Sequence, residues 1–119
     1  MLFRSIGLIT AEAKEAGLAE REQEKQKLID ALVAEALLAE GETDLTAITA
    51  AAHAFAARSP AALVLAQADD LGGERVAVNL PGTDRERPNW RRRIATPLPD
   101  LLKTDVAQAI LASLRKERP

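Results

Sequence analysis

Side chains that could bind a ligand concentrate between residues 79 and 93, a stretch that holds the only tryptophan, Trp90, and five arginines. Pro81-Gly82 marks a turn within it, and Pro88 biases the preceding residue away from helical torsions. A long irregular segment gains no regular backbone hydrogen bonding, so one with its own aromatic and charge cluster is usually functional or tightly docked. The pattern therefore predicts a functional or firmly docked loop.

Trp90 and the arginine run each admit two interpretations. The indole suits a plug in a core, which is favoured when the residue is taken alone, or a platform on which a sugar ring stacks. Arg91-Arg92-Arg93 suits phosphate contacts, or a solvated face with one guanidinium buried against an acid. The net charge of −2 and the pI near 5.5 favour the second arrangement and argue against nucleic acid as a partner.

The remaining chemistry rests on two acids and one histidine. Asp69 and Asp70 follow a strand candidate, where α/β enzymes bind substrate, although one of them could instead cap a short helical turn. Neighbours on an extended backbone point apart, so they do not form the close carboxylate pair of a retaining glycosidase. His53 lies beside the apolar face of a helix and is expected to be half-exposed. With one histidine and no cysteine, we predict no metal site.

The elements that position these residues are mostly helical. Residues 11–39 are predicted to form one long helix, solvated in its first half and apolar on one side of its second, with Gly41 as the stop. Thr43 or Asp44 should cap a second helix over 45–58. Its predicted buried residues are Leu45, Ile48, Ala52 and Phe55.

Two prolines and a threonine organise the end of the chain. Pro97-Leu98-Pro99 predicts an extended connection, and Thr104 is expected to cap a final helix with one apolar side. The residues expected on that side are Val106, Ala107, Ile110, Leu111 and Leu114.

One strand candidate, at about 62–67, contains the apolar run Leu63–Ala66. Such a run suits a strand buried between helices, as in a parallel sheet. The chain offers no second convincing strand apart from a weak one at 75–78, and a long irregular loop is expected at about 73–98. A lone strand of the buried type predicts that the rest of its sheet lies elsewhere, so these 119 residues are one domain or part of one.

The beginning of the chain lacks a clear period. Residues 1–9 could pack as a short strand, or could be artefactual or disordered. No apolar run approaches the length that spans a bilayer, and the N-terminus lacks the organisation of a signal peptide. We therefore predict a cytoplasmic protein with no membrane partner.

Three motifs together match one family. They are Gln67-Ala68-Asp69-Asp70-Leu71, Val78-Asn79-Leu80-Pro81-Gly82-Thr83 and Pro88-Asn89-Trp90-Arg91-Arg92-Arg93-Ile94. This block resembles the C-terminal end of the 4-α-glucanotransferases (amylomaltases or disproportionating enzymes, glycoside hydrolase family 77). The resemblance covers roughly residues 20–102. This chain departs from the family at two positions. It has Gly72 where the family usually has leucine, and Ala68 where a larger apolar residue is common.

The resemblance implies an α/β fold class. The whole chain, 1–119, would be a single partial domain, the C-terminal fragment of a (β/α)8 TIM barrel with 62–67 as its eighth strand. The implied activity is transfer of α-1,4-glucan segments between maltooligosaccharides with retention and no cofactor. The family's aspartate nucleophile, glutamate acid/base and second aspartate would lie upstream. No catalytic residue is therefore assigned here, and the chain is expected to be inactive alone.

The resemblance also carries two groups of residues onto this chain. Asn79, Pro81 and Gly82 would line the sugar cleft, and Asn89, Trp90 and Arg93 would anchor the loop to the barrel. The main alternative is a small helical module that binds glucan or protein without catalysis. A nucleic-acid binder using Trp90 and the arginine run is the weakest interpretation. No oligomeric state is predicted.

Overall fold

The computed structural model describes residues 10–83, 85 and 87–119. Within this part of the chain, four α-helices and one 3₁₀ helix are joined by turns and irregular segments, and no residue is in a strand. We number the α-helices α1 (Ala11–Ala34), α2 (Leu45–Arg58), α3 (Ala68–Leu71) and α4 (Asp105–Glu117), and the 3₁₀ helix spans Leu98–Lys103. The expectations for residues 1–9 lie outside the described residues.

Helix α1 ends five residues earlier than expected. Its last residue is Ala34, and Ala36 has a left-handed φ of 57°. The backbone N–H of Leu37 then donates to the carbonyl of Leu32 at 3.0 Å, which closes a Schellman motif. The prediction that Gly41 stops this helix was therefore wrong, because an alanine adopts the conformation that usually selects glycine.

Helix α2 has the predicted bounds, and Asp44 is its N-cap, with Oδ2 accepting from the N–H of Ala47 at 3.1 Å. The predicted buried face is only partly right, because Leu45 and Phe55 are 54% and 44% exposed. Small side chains form the contacts instead, and they let helix axes approach closely. The buried residues of α2 are Ile48, Ala50, Ala51, Ala54 and Ala57.

Two apolar clusters hold the helices together. The first joins α1 to α2, and the second surrounds the start of α4. Thr104 caps α4 as predicted, accepting from the N–H of Ala107 at 3.1 Å, and its hydroxyl donates to the carbonyl of Leu71 at 2.7 Å. The first cluster contains Leu32, Leu38, Ile48 and Ala51, and the second contains Leu71, Leu101, Ala107 and Ile110.

Segment 97–99 is not extended as predicted, because Pro99 lies in the first turn of the 3₁₀ helix. Proline is tolerated there, since the first backbone N–H groups of a helix have no partner within the helix. The 3₁₀ helix contributes Leu101 to the second cluster.

The strand expected at about 62–67 is not formed. Leu63 and Leu65 are 78% and 82% exposed, whereas Val64 and Ala66 are half-buried, so burial alternates along the segment as in a strand. A strand also needs a neighbour to pair its backbone groups. The described residues provide none, so they form a mostly helical fold, as predicted, but without the predicted strand.

The last residues of the chain fasten the end of α2. Arg58 Nε lies 2.9 Å from Glu117 Oε2, and Arg58 also donates to the carbonyl of Glu35 at 2.8 Å. The Arg118 guanidinium donates to the carbonyls of Ala57 and Ala61 at 2.8 and 2.7 Å. The turn that leads into the apolar segment 61–66 is therefore fixed by a terminal arginine.

No helix in the described part of the chain has the length and apolar character that crossing a bilayer requires.

Candidate functional site

The loop singled out from the sequence is organised by the side-chain amide of Asn89. Its Oδ1 accepts from the N–H of Leu80 at 3.0 Å, and its Nδ2 donates to the hydroxyl of Thr83 at 2.8 Å. The same hydroxyl donates to the carbonyl of Leu80 at 2.6 Å. These bonds close the Pro81-Gly82 turn, in which Gly82 has a φ of 83° that residues with a Cβ rarely adopt. The amide thus fixes the turn that follows Asn79.

Arg87 supports this arrangement from inside the loop, a role that sequence reasoning missed. The residue is only 8% exposed, and its guanidinium donates to Asn89 Oδ1 and to the carbonyl of Ala77. A buried arginine needs hydrogen-bond acceptors to offset the loss of hydration. The loop supplies them from both of its arms. In the sequence only its place before Pro88 separates Arg87 from the other arginines of this stretch, and that place gives no sign of burial.

The backbone of Trp90 is hydrogen-bonded within the loop, whereas its side chain is exposed. Its N–H donates to the carbonyl of Val78 at 2.9 Å, and its φ is 62°, in the left-handed region. The indole is 75% exposed, so it fills no core among the residues that the structure describes. The backbone bond ties the second arm of the loop to the first, and the ring projects from it.

A groove of about 560 Å³ lies beside the indole. Beside Trp90 its lining includes the amide of Asn79 and two guanidinium groups, which suits a ligand with both an apolar face and a hydroxyl rim. The lining side chains include Asn79, Thr83, Arg85, Asn89, Trp90 and Arg91. The structure therefore brings Asn79 and Asn89 together with Trp90 at one surface.

The other predicted site residues, Pro81, Gly82 and Arg93, are not among the residues that line the groove. Pro81 and Gly82 are exposed at the tip of the turn, and Arg93 is exposed further along the chain. Asp84, within the same loop, lies outside the described residues, as does Glu86.

The acid-bound arginine expected within the run 91–93 is Arg92. Its Nη2 lies 3.2 Å from Asp69 Oδ2, and its Nη1 lies 3.0 Å from Glu74 Oε2. Glu74 also accepts from the backbone N–H of Ala95. Asp69, in the first turn of α3, therefore helps to fasten the loop to that helix.

His53 is more buried than the half-exposed position expected from the sequence. Its side chain, on α2, is 14% exposed and lies against Asp70 of α3. Nδ1 lies 2.8 Å from the carbonyl oxygen of Thr49, and Nε2 lies 3.7 Å from Asp70 Oδ2. The first contact is made within α2 and the second joins it to α3, so the ring links two helices.

Cation ligands are not assembled in the described part of the chain, where no group of three or more histidine, aspartate or glutamate side chains is placed to hold a metal ion.

Comparison with known proteins gives a consistent result. The family model described as 4-α-glucanotransferase matches residues 11–99. The 4-α-glucanotransferase of Haemophilus influenzae is 25% identical over 124 residues, an alignment that covers 98% of this chain and 18% of that protein. No solved structure matches the chain.

The matched region contains the strand candidate, the turn after Asn79 and the whole Asn89-centred loop. This chain spans less than a fifth of the length of the curated Haemophilus influenzae relative. Because the family model covers most of its residues, the chain belongs to the 4-α-glucanotransferase family.

Proposed function

We propose that this chain is the C-terminal part of a 4-α-glucanotransferase, an enzyme that transfers α-1,4-glucan segments between maltooligosaccharides with retention. The family match over residues 11–99 carries the proposal. The groove beside Asn79 and Trp90 supports it, because its lining combines hydrogen-bonding groups with an aromatic face.

In this proposal the chain binds and orients glucan, and carboxylates supplied upstream perform the chemistry. Retention requires two carboxyl groups about 5 Å apart across the glycosidic bond, one as nucleophile and one as acid and base. Asp69 is engaged by Arg92, and Asp70 faces His53. Neither is therefore offered as a catalytic acid.

The rim of the sugar cleft is assigned to Asn79, Pro81 and Gly82. Asn79 would hydrogen-bond sugar hydroxyls, while the Pro81-Gly82 turn would allow the backbone to approach the glucan closely. Asn89 holds this turn in shape through Leu80 and Thr83. Arg93, which is exposed, would bind the remainder of the enzyme.

The exposed apolar segment is consistent with a missing sheet. Leu63 and Leu65 present one face of an extended run to solvent, while Ala66, on the other face, packs against the second cluster. A run of this kind is stable in water only when a neighbouring strand and an apolar layer cover it. In the complete enzyme this segment would be the eighth strand of a (β/α)8 barrel.

The experiment has two arms. Purified chain is incubated with maltotriose, and glucose is measured; we expect none, and turnover by a homogeneous sample would contradict the assignment of catalysis to upstream residues. The genomic sequence upstream of Met1 is then read. An open frame that encodes the remaining barrel supports the proposal. A stop codon and ribosome-binding site directly before Met1 would instead favour the free-standing glucan-binding or protein-binding module.

A further inference from the structure

We propose that the Trp90 indole is a stacking platform for a pyranose ring, so that Trp90 determines affinity for α-1,4-glucan and does not merely anchor the loop. This inference rests on the proposed function and names the group that holds the sugar. The backbone of Trp90 makes the anchoring contact, through its N–H bond to Val78. The indole itself is exposed on this chain.

The conformation of Trp90 is the first observation. Its φ of 62° brings Cβ close to the backbone, which costs free energy in every residue except glycine. Such strain persists only where the surroundings fix it, and it concentrates at ligand-binding and catalytic positions. Here the fixing contacts are the bond to Val78 and the amide network of the preceding residue, Asn89. A bulky aromatic residue at a position that favours glycine is unexpected unless its ring has a use.

The exposure of the ring is the second observation. An indole has one of the largest apolar surfaces of any side chain, and tryptophan is usually highly buried. Trp90 is 75% exposed and forms one side of the 560 Å³ groove. The loop therefore holds an aromatic face at an open surface. This costs free energy both in backbone strain and in hydration of the apolar ring.

The chemistry of the groove identifies the ligand class. A pyranose ring has an apolar C–H face, which can lie on an aromatic ring, and a rim of hydroxyls that donate and accept hydrogen bonds. Beside Trp90 the groove supplies the amide of Asn79 and the guanidinium groups of Arg85 and Arg91. Aromatic face and polar rim together match one sugar ring lying flat.

The substitution Trp90→Gly separates strain from binding, because it should raise the stability of the chain and weaken its affinity for glucan. Trp90→Gly relieves the positive φ, so we expect the thermal midpoint to rise by about 4 °C. The same change removes the platform, so the Kd for maltohexaose from NMR titration should rise at least about fivefold. Trp90→Phe keeps an aromatic face and should stay within about threefold of the unmodified chain.

Leu98→Ala is the matched control, because Leu98 is 80% exposed and is not among the residues lining the groove. It should leave maltohexaose affinity unchanged. Trp90 is also the only tryptophan, so its fluorescence should shift when the sugar binds. An unchanged Kd for Trp90→Gly would overturn the platform and leave the proposed function standing. Absence of maltohexaose binding by the unmodified chain would overturn both.

Discussion

Asn89 Oδ1 accepts the backbone N–H of Leu80 at 3.0 Å, across nine residues of irregular chain. Leu80 is itself only 6% exposed, so this N–H lies where water cannot easily replace the acceptor. One side-chain amide thus makes a hydrogen bond of the kind that paired backbone groups make in a β-hairpin. The shape of the groove depends on it.

Asn89→Ala should destabilise the chain by about 1–3 kcal/mol, because it leaves the N–H of Leu80 and the groups of Thr83 without their partner. Chemical denaturation at neutral pH measures the change. Gln26→Ala is the control, since Gln26 donates only to Asp30 on the exposed surface of α1. That variant should change stability by no more than about 0.5 kcal/mol. Equal effects for the two variants would contradict the role given to Asn89.

Ala36→Gly should stabilise the chain by about 1 kcal/mol. Ala36 has a φ of 57° at the end of α1, where its Cβ is strained and glycine is not. The Schellman bond between Leu37 and Leu32 would be unaffected. Ala34→Gly, two residues earlier and still helical, should instead destabilise by up to about 1 kcal/mol. Thermal unfolding of both variants checks the sign, and a loss of stability in Ala36→Gly would be inconsistent with a left-handed residue there.

The hydrogen bond from Arg58 lowers the pKa of Glu117 below its ordinary value of 4.5. A carboxyl whose pKa is lower in the folded state stabilises the fold above its unfolded pKa and loses that contribution as pH falls through its folded pKa. Stability should therefore decline below about pH 4.5, and Glu117→Gln should flatten this acid limb. Urea unfolding between acidic and neutral pH measures the effect. Glu20→Gln, on the exposed part of α1, should leave the limb unchanged.

Leu65→Lys should reduce self-association without loss of stability. Leu65 is 82% exposed on an unpaired extended segment, which makes it a contact point for other chains. We expect a change in stability within about 0.5 kcal/mol, because little buried surface is lost. Light scattering against concentration measures the association. Gln67→Lys adds the same charge without removing apolar surface, and an equal effect from it would show that charge alone is responsible.

Local chemistry made the helices predictable. Asp44 and Thr104 cap α2 and α4 as expected, because a short polar side chain before an apolar run satisfies free backbone N–H groups. The end of α1 was missed because alanine carries no sign of a left-handed residue. The burial of Phe55 was also wrongly predicted, since contact between α2 and α4 depends on how closely the helices approach.

The site was only partly predictable, for a different reason. Residue type and spacing singled out the loop, and the resemblance named Asn79, Asn89 and Trp90, which line one groove in the structure; their roles remain predictions. The sequence does not show which distant residues pair with the arginine run. One arginine buried against an acid could therefore be expected, but not the specific bonds from Arg92 to Asp69 and Glu74. The strand at 62–67 was predicted from its run of apolar residues. A strand forms only when a neighbouring strand pairs with its backbone, and that neighbour depends on residues outside the segment.

The most direct test of the central claim, that this chain carries the glucan-binding wall of a 4-α-glucanotransferase, is a ¹H–¹⁵N NMR titration with maltohexaose. Cellohexaose, with β-1,4 links, is the control ligand. We predict saturable shifts concentrated in the residues that line the groove, among them Asn79, Arg91 and Trp90 with its indole N–H, with maltohexaose and not with cellohexaose. No shifts with either sugar, or equal shifts with both, would contradict the claim.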